Sequence, residues 1–310
     1  PERHRGRQRG RGGGEGPMTA LADRLEWGLL PAVPVPFRGP TMDRDAQRGY
    51  ARWMASQAVA GVAVWSHTGR GPHLSAEDRR DVLEAWREAM PGRIVVAGAR
   101  DITMAIDARR GHADALLAFP QRQDPVAYHR RLGRELPVLA FYLYEAAGGV
   151  AYDDATLHAI LDLPEVVGIK VATLDSVMTY QRIAAVLRSH PDKLLVTGED
   201  RFLGYSVMLG ARAALIGMGA ALPDLQAELL RSWAERDFSR FVELSELCDR
   251  LAQVTFIDPM EGYIRRMLWA AAADGALPPE ACDDPWGPAL PEVERAAVDA
   301  MVRSARAARA

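Results

Sequence analysis

The chain has 310 residues, 48% of them hydrophobic and 25% charged, with a formal net charge of −3. These proportions are those of a globular protein; they exclude a collagen-like, fibrous or wholly disordered chain, and the charge carries no nucleic-acid signature. No apolar run reaches roughly 18 residues, which argues against a membrane span. Two cysteines, Cys248 and Cys282, are too few for a disulfide framework or a thiolate zinc site, so a reducing, cytoplasmic setting is expected.

Residues 1–17 are rich in arginine and glycine. Such a segment cannot bury a core and is expected to be disordered. It reads as a misassigned start or a cloning remnant ahead of Met18, with an RNA-binding tail as the rival reading. From Trp27 onward, short apolar runs alternate with amphipathic stretches. Leu29–Val35 precedes a helix near Asp43–Val59, Gly61–Trp65 one near Ser75–Met90, and Ile94–Gly98 one near Ile102–Arg110. Ala113–Phe119 precedes Pro125–Arg134, Pro137–Leu143 precedes Asp154–Leu161, and Val166–Val171 precedes Asp175–Ser189. Leu194–Thr197 leads to Arg201–Leu209, and Ala213–Ile216 to Leu222–Glu235. Eight such units, with strands apolar enough for burial on both faces, predict an α/β fold of the (β/α)₈ (TIM) barrel type over 18–236. An open dinucleotide-binding sheet would want a glycine-rich turn after the first strand, and Pro36-Phe37-Arg38 stands there instead. Residues 237–310 predict helices at Phe238–Val254, Pro259–Ala273 and Pro291–Arg309, packed on the barrel as a C-terminal extension.

In such a barrel the chemistry belongs at the C-terminal ends of the strands. Of 38 lysines and arginines only Lys170 and Lys193 are lysine. Arginine can replace lysine on a surface but cannot act as an amine nucleophile, so Lys170, flanked by Val166, Val167, Ile169 and Val171, stands out. Burial would lower its proton affinity and free the amine to attack a ketone; the rival reading is a strand-end lysine that reaches solvent or pairs with a carboxylate. Phe141-Tyr142-Leu143-Tyr144 ends the preceding strand, and alternation predicts that Tyr142 and Tyr144 share a face. A tyrosine there could pass protons or be ordinary core. Ser66-His67-Thr68-Gly69-Arg70-Gly71 follows the second strand. Its glycines allow close backbone approach, Ser66, Thr68 and backbone N–H groups could hold a carboxylate, and His67 could carry a proton. A solvated turn before a helix capped by Ser75 explains the same residues. No cluster has metal-ligand spacing.

Taken in order, the pieces resemble the dihydrodipicolinate synthase/N-acetylneuraminate lyase family over nearly the whole chain from Trp27. Gly28–Phe37 is similar to that family's first strand and Ser66–Arg70 with Leu74–Arg79 to its Gly-Thr-Thr-Gly-Glu loop and following helix. Tyr142 and Lys170 stand 28 residues apart, similar to the family's tyrosine–lysine spacing. Val167-Gly168-Ile169-Lys170 resembles its Schiff-base strand, and Gly198-Glu199-Asp200 its Gly-Asp-Asp turn. The resemblance implies that Lys170 forms an imine with a pyruvate-type 2-keto acid, Tyr142 shuttles protons, and Thr68 holds the carboxylate. Ser66, Gly69, Arg70 and Leu215 complete the implied substrate-binding set. No metal or organic cofactor is implied, and a homo-oligomer (dimer or tetramer) is.

The chain departs from the family pattern in places. His67 and Arg70 replace the loop's first threonine and its glutamate. Ala147 stands where the synthase branch has an arginine for its second substrate. The loop Gln121–Asp124 is short and lacks the tyrosine that a neighbouring subunit contributes, and the third helix is about two turns short. The expectation is therefore a lyase or aldolase of altered specificity, with His67 as acid/base and Arg70 adding charge for an anionic substrate. A keto-sugar-acid dehydratase using the same imine and a non-catalytic keto-acid-binding barrel are the alternatives.

Overall fold

Each of the eight apolar runs becomes a short parallel strand. A computed structural model describes residues 17–174 and 176–309. Its barrel strands are β1 (Leu29–Pro31), β2 (Gly61–Val64), β3 (Ile94–Ala99), β4 (Ala115–Ala118), β5 (Val138–Leu143), β6 (Val166–Ala172), β7 (Leu194–Thr197) and β8 (Ala213–Ile216). They neighbour one another in chain order, and β1 also pairs with β8. A bridge from Ala32 to Ala63, with the Val33 N–H donating to the Ala63 carbonyl at 3.1 Å, joins β1 to β2. That closes the sheet into the expected (β/α)₈ barrel. Every strand residue is buried, because helices cover one face and the barrel interior the other.

Alternation along each strand divides the apolar residues into two clusters. Leu30, Leu117, Leu139, Phe141, Val196 and Leu215 belong to the interior set, while the outward residues pack against the helices. The helices begin where a short polar side chain can satisfy a free N–H. Asp43, Ser75, Asp101 and Asp153 each accept from the backbone N–H three residues on, at 2.8–3.0 Å. The chain has no asparagine, so aspartate and serine supply the caps, each worth roughly 1 kcal/mol.

Three features differ from the expectation. The first strand is shorter than Leu29–Val35, because Pro34 and Pro36 lack the N–H that would extend the ladder. A two-strand ribbon follows, Phe37–Arg38 against Thr41–Met42, turning through Gly39 at φ +56°. A helix, Pro17–Leu25, precedes the barrel, and Leu21 and Leu25 join the interior cluster. The disorder expected for 1–17 concerns residues outside the described ones, save Pro17.

The C-terminal helices are Phe238–Thr255, Tyr263–Ala273 and Glu292–Ala307. They pack on one another and on the barrel helix Pro223–Ala234. Between the first two, the chain crosses the barrel mouth. Fully buried Arg266 holds this crossing. Its Nη1 donates to the Ile257 carbonyl at 2.7 Å, its Nη2 to the Asp258 carbonyl at 3.2 Å, and its Nε to Glu294 at 2.7 Å. Among the described residues no helix is long and apolar enough to cross a membrane.

Candidate active site

The site begins with an irregularity in β6. Val138 pairs with Val166 but Leu139 pairs with Gly168, so Val167 is passed over. Such a bulge re-aims the side chains beyond it. Val167 faces the interior, and after the slip Lys170 and Ala172 face it too, beside Phe141 of β5. Lys170 is 5% exposed. Its Nζ lies 4.3 Å from the centre of the Phe141 ring. Gly198, just after β7, makes room for it, since a Cβ there would lie 2.5 Å from Lys170 Cε.

Two carboxylates follow Gly198. Asp200 lines the same cleft as Lys170 and accepts from the Met218 N–H at 2.7 Å. Glu199 turns away and clamps the loop after β6, accepting from the Thr173 N–H at 2.6 Å, the Thr173 hydroxyl at 2.9 Å and the Leu174 N–H at 2.9 Å. Burial lowers the proton affinity of Lys170 below that of an ordinary lysine, against the pull of Asp200 and Glu199. Burial likewise raises Asp200 above the usual carboxylate range and Glu199 to about 7, in spite of its three hydrogen bonds. A nearly dry amine that shares its cleft with a carboxyl of raised proton affinity has its charged form disfavoured, and the free base is the form that can react.

β5 does not place its tyrosines as alternation suggested. Leu139, Phe141 and Leu143 point inward, while Tyr142 packs outward into the sheet–helix core and lies outside the cleft. The strand pairing sets Phe141, not Tyr142, opposite Lys170. Tyr144 comes after the strand has ended, so the period of two no longer governs it. It turns into the mouth and donates to Glu261 at 3.1 Å. The sequence position of Tyr142 therefore does not bring its phenol to the lysine.

The loop after β2 divides its residues in the same way. His67 and Thr68 line the cleft. Ser66 is fully buried within its own turn, where its hydroxyl accepts from the Gly69 N–H at 3.4 Å and its carbonyl from the Gly71 N–H at 3.2 Å. Gly69 packs against the first strand's continuation, where a Cβ would lie 2.9 Å from the Val33 carbonyl oxygen. Arg70, in the left-handed region at φ +52°, is 6% exposed, and all three of its nitrogens are engaged. Nε and Nη2 reach the two oxygens of Asp284 at 3.1 and 2.6 Å, and Nη1 reaches Glu261 at 3.1 Å. A guanidinium so neutralised has no donor pair left for an anionic substrate. Leu215 sits level with Leu30 in the barrel interior, away from the cleft lining, which takes Gly217 instead. Ser66, Gly69, Arg70 and Leu215 thus hold the site's walls rather than facing its space.

The C-terminal crossing brings further groups to the cleft that the sequence does not mark. The Tyr263 hydroxyl lies 3.0 Å from Thr68 Oγ1 and 3.0 Å from His67 Nδ1. Its ring stacks on Phe256 at 4.8 Å. Glu261 Oε1 is 3.4 Å from His67 Nε2. Burial would raise the Glu261 carboxyl, but hydrogen bonding and charge from His67, with Arg70, hold it down at about 2. Burial raises both Tyr263 and Tyr144 well above an ordinary phenol. No local motif marks Tyr263 or Glu261. The only sequence signal was that the predicted Pro259–Ala273 stretch follows the last barrel helix. The free space at the centre is about 20 Å³, enough for about one water molecule. Among the described residues no group of three or more His, Cys, Asp or Glu comes together to hold a metal ion.

No family model matches the chain. Its sequence is 28% identical over 250 residues to a 4-hydroxy-tetrahydrodipicolinate synthase of Ruegeria pomeroyi, covering 75% of this chain and 84% of that one. Its fold is similar to that of YagE, a prophage protein of the dihydrodipicolinic acid synthase family from E. coli K12 solved in complex with pyruvate. The TM-score is 0.80 at 18% identity, over 90% of this chain and 98% of that one. A catalytic-lysine mutant of Ruminococcus gnavus sialic acid aldolase gives a TM-score of 0.80 at 18% identity, over 92% and 98%. The barrel and these relatives define an enzyme of the lyase class. Within that class the chain is similar in sequence, at 28% identity, to 4-hydroxy-tetrahydrodipicolinate synthases, and in fold to members of the dihydrodipicolinate synthase and N-acetylneuraminate lyase group.

Proposed function

We propose that this enzyme makes or breaks a carbon–carbon bond next to the carbonyl of a pyruvate-type 2-keto acid, through an imine on Lys170. The observation that carries the reading is the buried amine itself. It sits at the barrel mouth against the Phe141 ring, with its proton affinity lowered by burial. The free amine attacks C2 of the keto acid, the carbonyl oxygen leaves as water, and the resulting iminium takes up the electron pair of the bond that breaks. Asp200 is the neighbouring carboxyl that exchanges a proton with the nitrogen. In this reading the backbone N–H groups beside Thr68 hold the keto-acid carboxylate.

The remainder of the substrate carries no second carboxylate in this reading. The described cleft lining contains no arginine, Arg70 is fully engaged, and Ala147 lies in the short turn Glu145–Ala147. A partner aldehyde without negative charge fits that lining, which argues against a second substrate bearing its own acid group.

The test is to incubate the protein with pyruvate, reduce with borohydride and map the adduct by mass spectrometry. The expected result is a mass gain on the peptide bearing Lys170. A reduced protein with no gain there overturns the reading.

A further inference from the structure

Several polar groups lie in or beside the cleft, and four of them form a single line. The Thr68 hydroxyl meets the Tyr263 hydroxyl at 3.0 Å, which meets His67 Nδ1 at 3.0 Å. His67 Nε2 then stands 3.4 Å from Glu261 Oε1. Exposure rises along the line. Thr68 is 4% and Tyr263 5% exposed, whereas the side chains of His67 and Glu261 are 15% and 37% exposed. The inner end shares the cleft with Lys170 and the outer end reaches water.

The end group also sets the direction of the hydrogen bonds. An ionised carboxylate can only accept, and Glu261 is additionally bound by the Arg70 guanidinium at 3.1 Å. His67 Nε2 therefore carries the hydrogen and Nδ1 is the acceptor, as the partner on one ring nitrogen fixes the tautomer at the other. The Tyr263 O–H donates to Nδ1, its oxygen accepts from Thr68, and the Thr68 lone pairs face the cleft. Every donor points outward, so a proton taken up at Thr68 moves toward Glu261 by successive transfers.

We infer that Tyr263, supplied by the chain's own C-terminal extension, relays the proton of the carbon–carbon step between the cleft and solvent through His67 and Glu261. The inference rests on the imine reading above. In the pyruvate imine, a methyl C–H proton leaves to Thr68 and the C–H electron pair becomes the C2–C3 double bond. The iminium nitrogen takes back its π pair. One proton passes from Thr68 through Tyr263 and His67 and is released at Glu261. Reprotonation of the enamine runs the same line inward.

The experiment follows exchange of the pyruvate methyl hydrogens for deuterium in D₂O by NMR, alongside borohydride trapping, in the full chain and in Tyr263→Phe. The phenylalanine keeps the ring stack on Phe256 and removes only the relay oxygen. Trapping at Lys170 is expected to stay within about twofold, while exchange falls by ~10²–10⁴-fold, the range typical of a positioned acid–base group. Trapping with exchange within about threefold of the parent overturns the relay and leaves the imine reading standing. No trapping in the parent protein overturns the imine reading and the relay with it. Should Tyr263→Phe lose its cooperative melt, Glu261→Gln, at the half-exposed end, carries the same test. At least a tenfold loss of exchange with trapping retained is expected, and unchanged exchange overturns the relay.

Discussion

Arg70 and Asp284 stand 214 residues apart in the chain and form a buried two-point ion pair, with Nε to Oδ1 at 3.1 Å and Nη2 to Oδ2 at 2.6 Å. Asp284 is 2% exposed. The pair ties the loop after β2, which carries His67 and Thr68, to the C-terminal extension, which carries Glu261 and Tyr263. The two halves of the site meet across it.

Removing one partner leaves an unpaired charge in a dry place. Arg70→Ala is therefore expected to lower the unfolding free energy by roughly 3–5 kcal/mol, as for other broken buried pairs. Urea titration followed by circular dichroism measures it. A loss below about 1 kcal/mol would place the pair in effective contact with water.

Gly198 tests the position of the amine. A Cβ at this residue would lie 2.5 Å from Lys170 Cε, and the obstructing atom is near the flexible end of a side chain. Gly198→Ala is expected to push the lysine aside while the fold survives. Borohydride-trapped pyruvate should fall at least tenfold with the urea midpoint nearly unchanged. Full trapping in this variant contradicts the placement of the amine beside Gly198.

Glu199 predicts a pH dependence of stability. Burial, opposed by Thr173 and Leu174, raises its folded-state value from 4.5 to about 7. Between those two values the folded protein binds more protons than the unfolded chain, so this contribution is fully present below about 4.5 and is lost as pH rises through about 7. Relative to Glu199→Gln, the parent should lose up to about 3 kcal/mol of stability between pH 4.5 and 7. Denaturant titrations of both proteins across that range give the difference, and a flat one contradicts the burial of an ionisable Glu199.

Tyr142 separates sequence spacing from spatial arrangement. Its side chain packs in the outer core and does not line the cleft. Tyr142→Phe should therefore leave trapping and methyl exchange within about twofold, with stability changed by no more than ~0.5 kcal/mol. A hundredfold loss of exchange would return the proton-carrying role to Tyr142.

The barrel was legible in the sequence because its signals are local. Eight apolar runs bounded by caps such as Asp43, Ser75 and Asp101 define strand–helix units without any knowledge of partners, and Lys170 was visible as one of two lysines in an arginine-rich chain. The orientation of β5 and β6 was not legible. Whether Phe141 or Tyr142 meets Lys170 depends on a slip at Val167 in the pairing of two strands, and a shift of one residue exchanges the faces of a strand. Tyr263, Glu261 and Asp284 reach the loop after β2 from about 190 to 214 residues away, and no spacing rule operates over that distance. The chain by itself determined which segments become strands and helices and which residue carries the amine, because propensity and periodicity are properties of neighbours. Only the tertiary structure decided which phenol, imidazole and carboxylate surround that amine, because register and the crossing of the C-terminal extension are set by packing between segments remote in sequence.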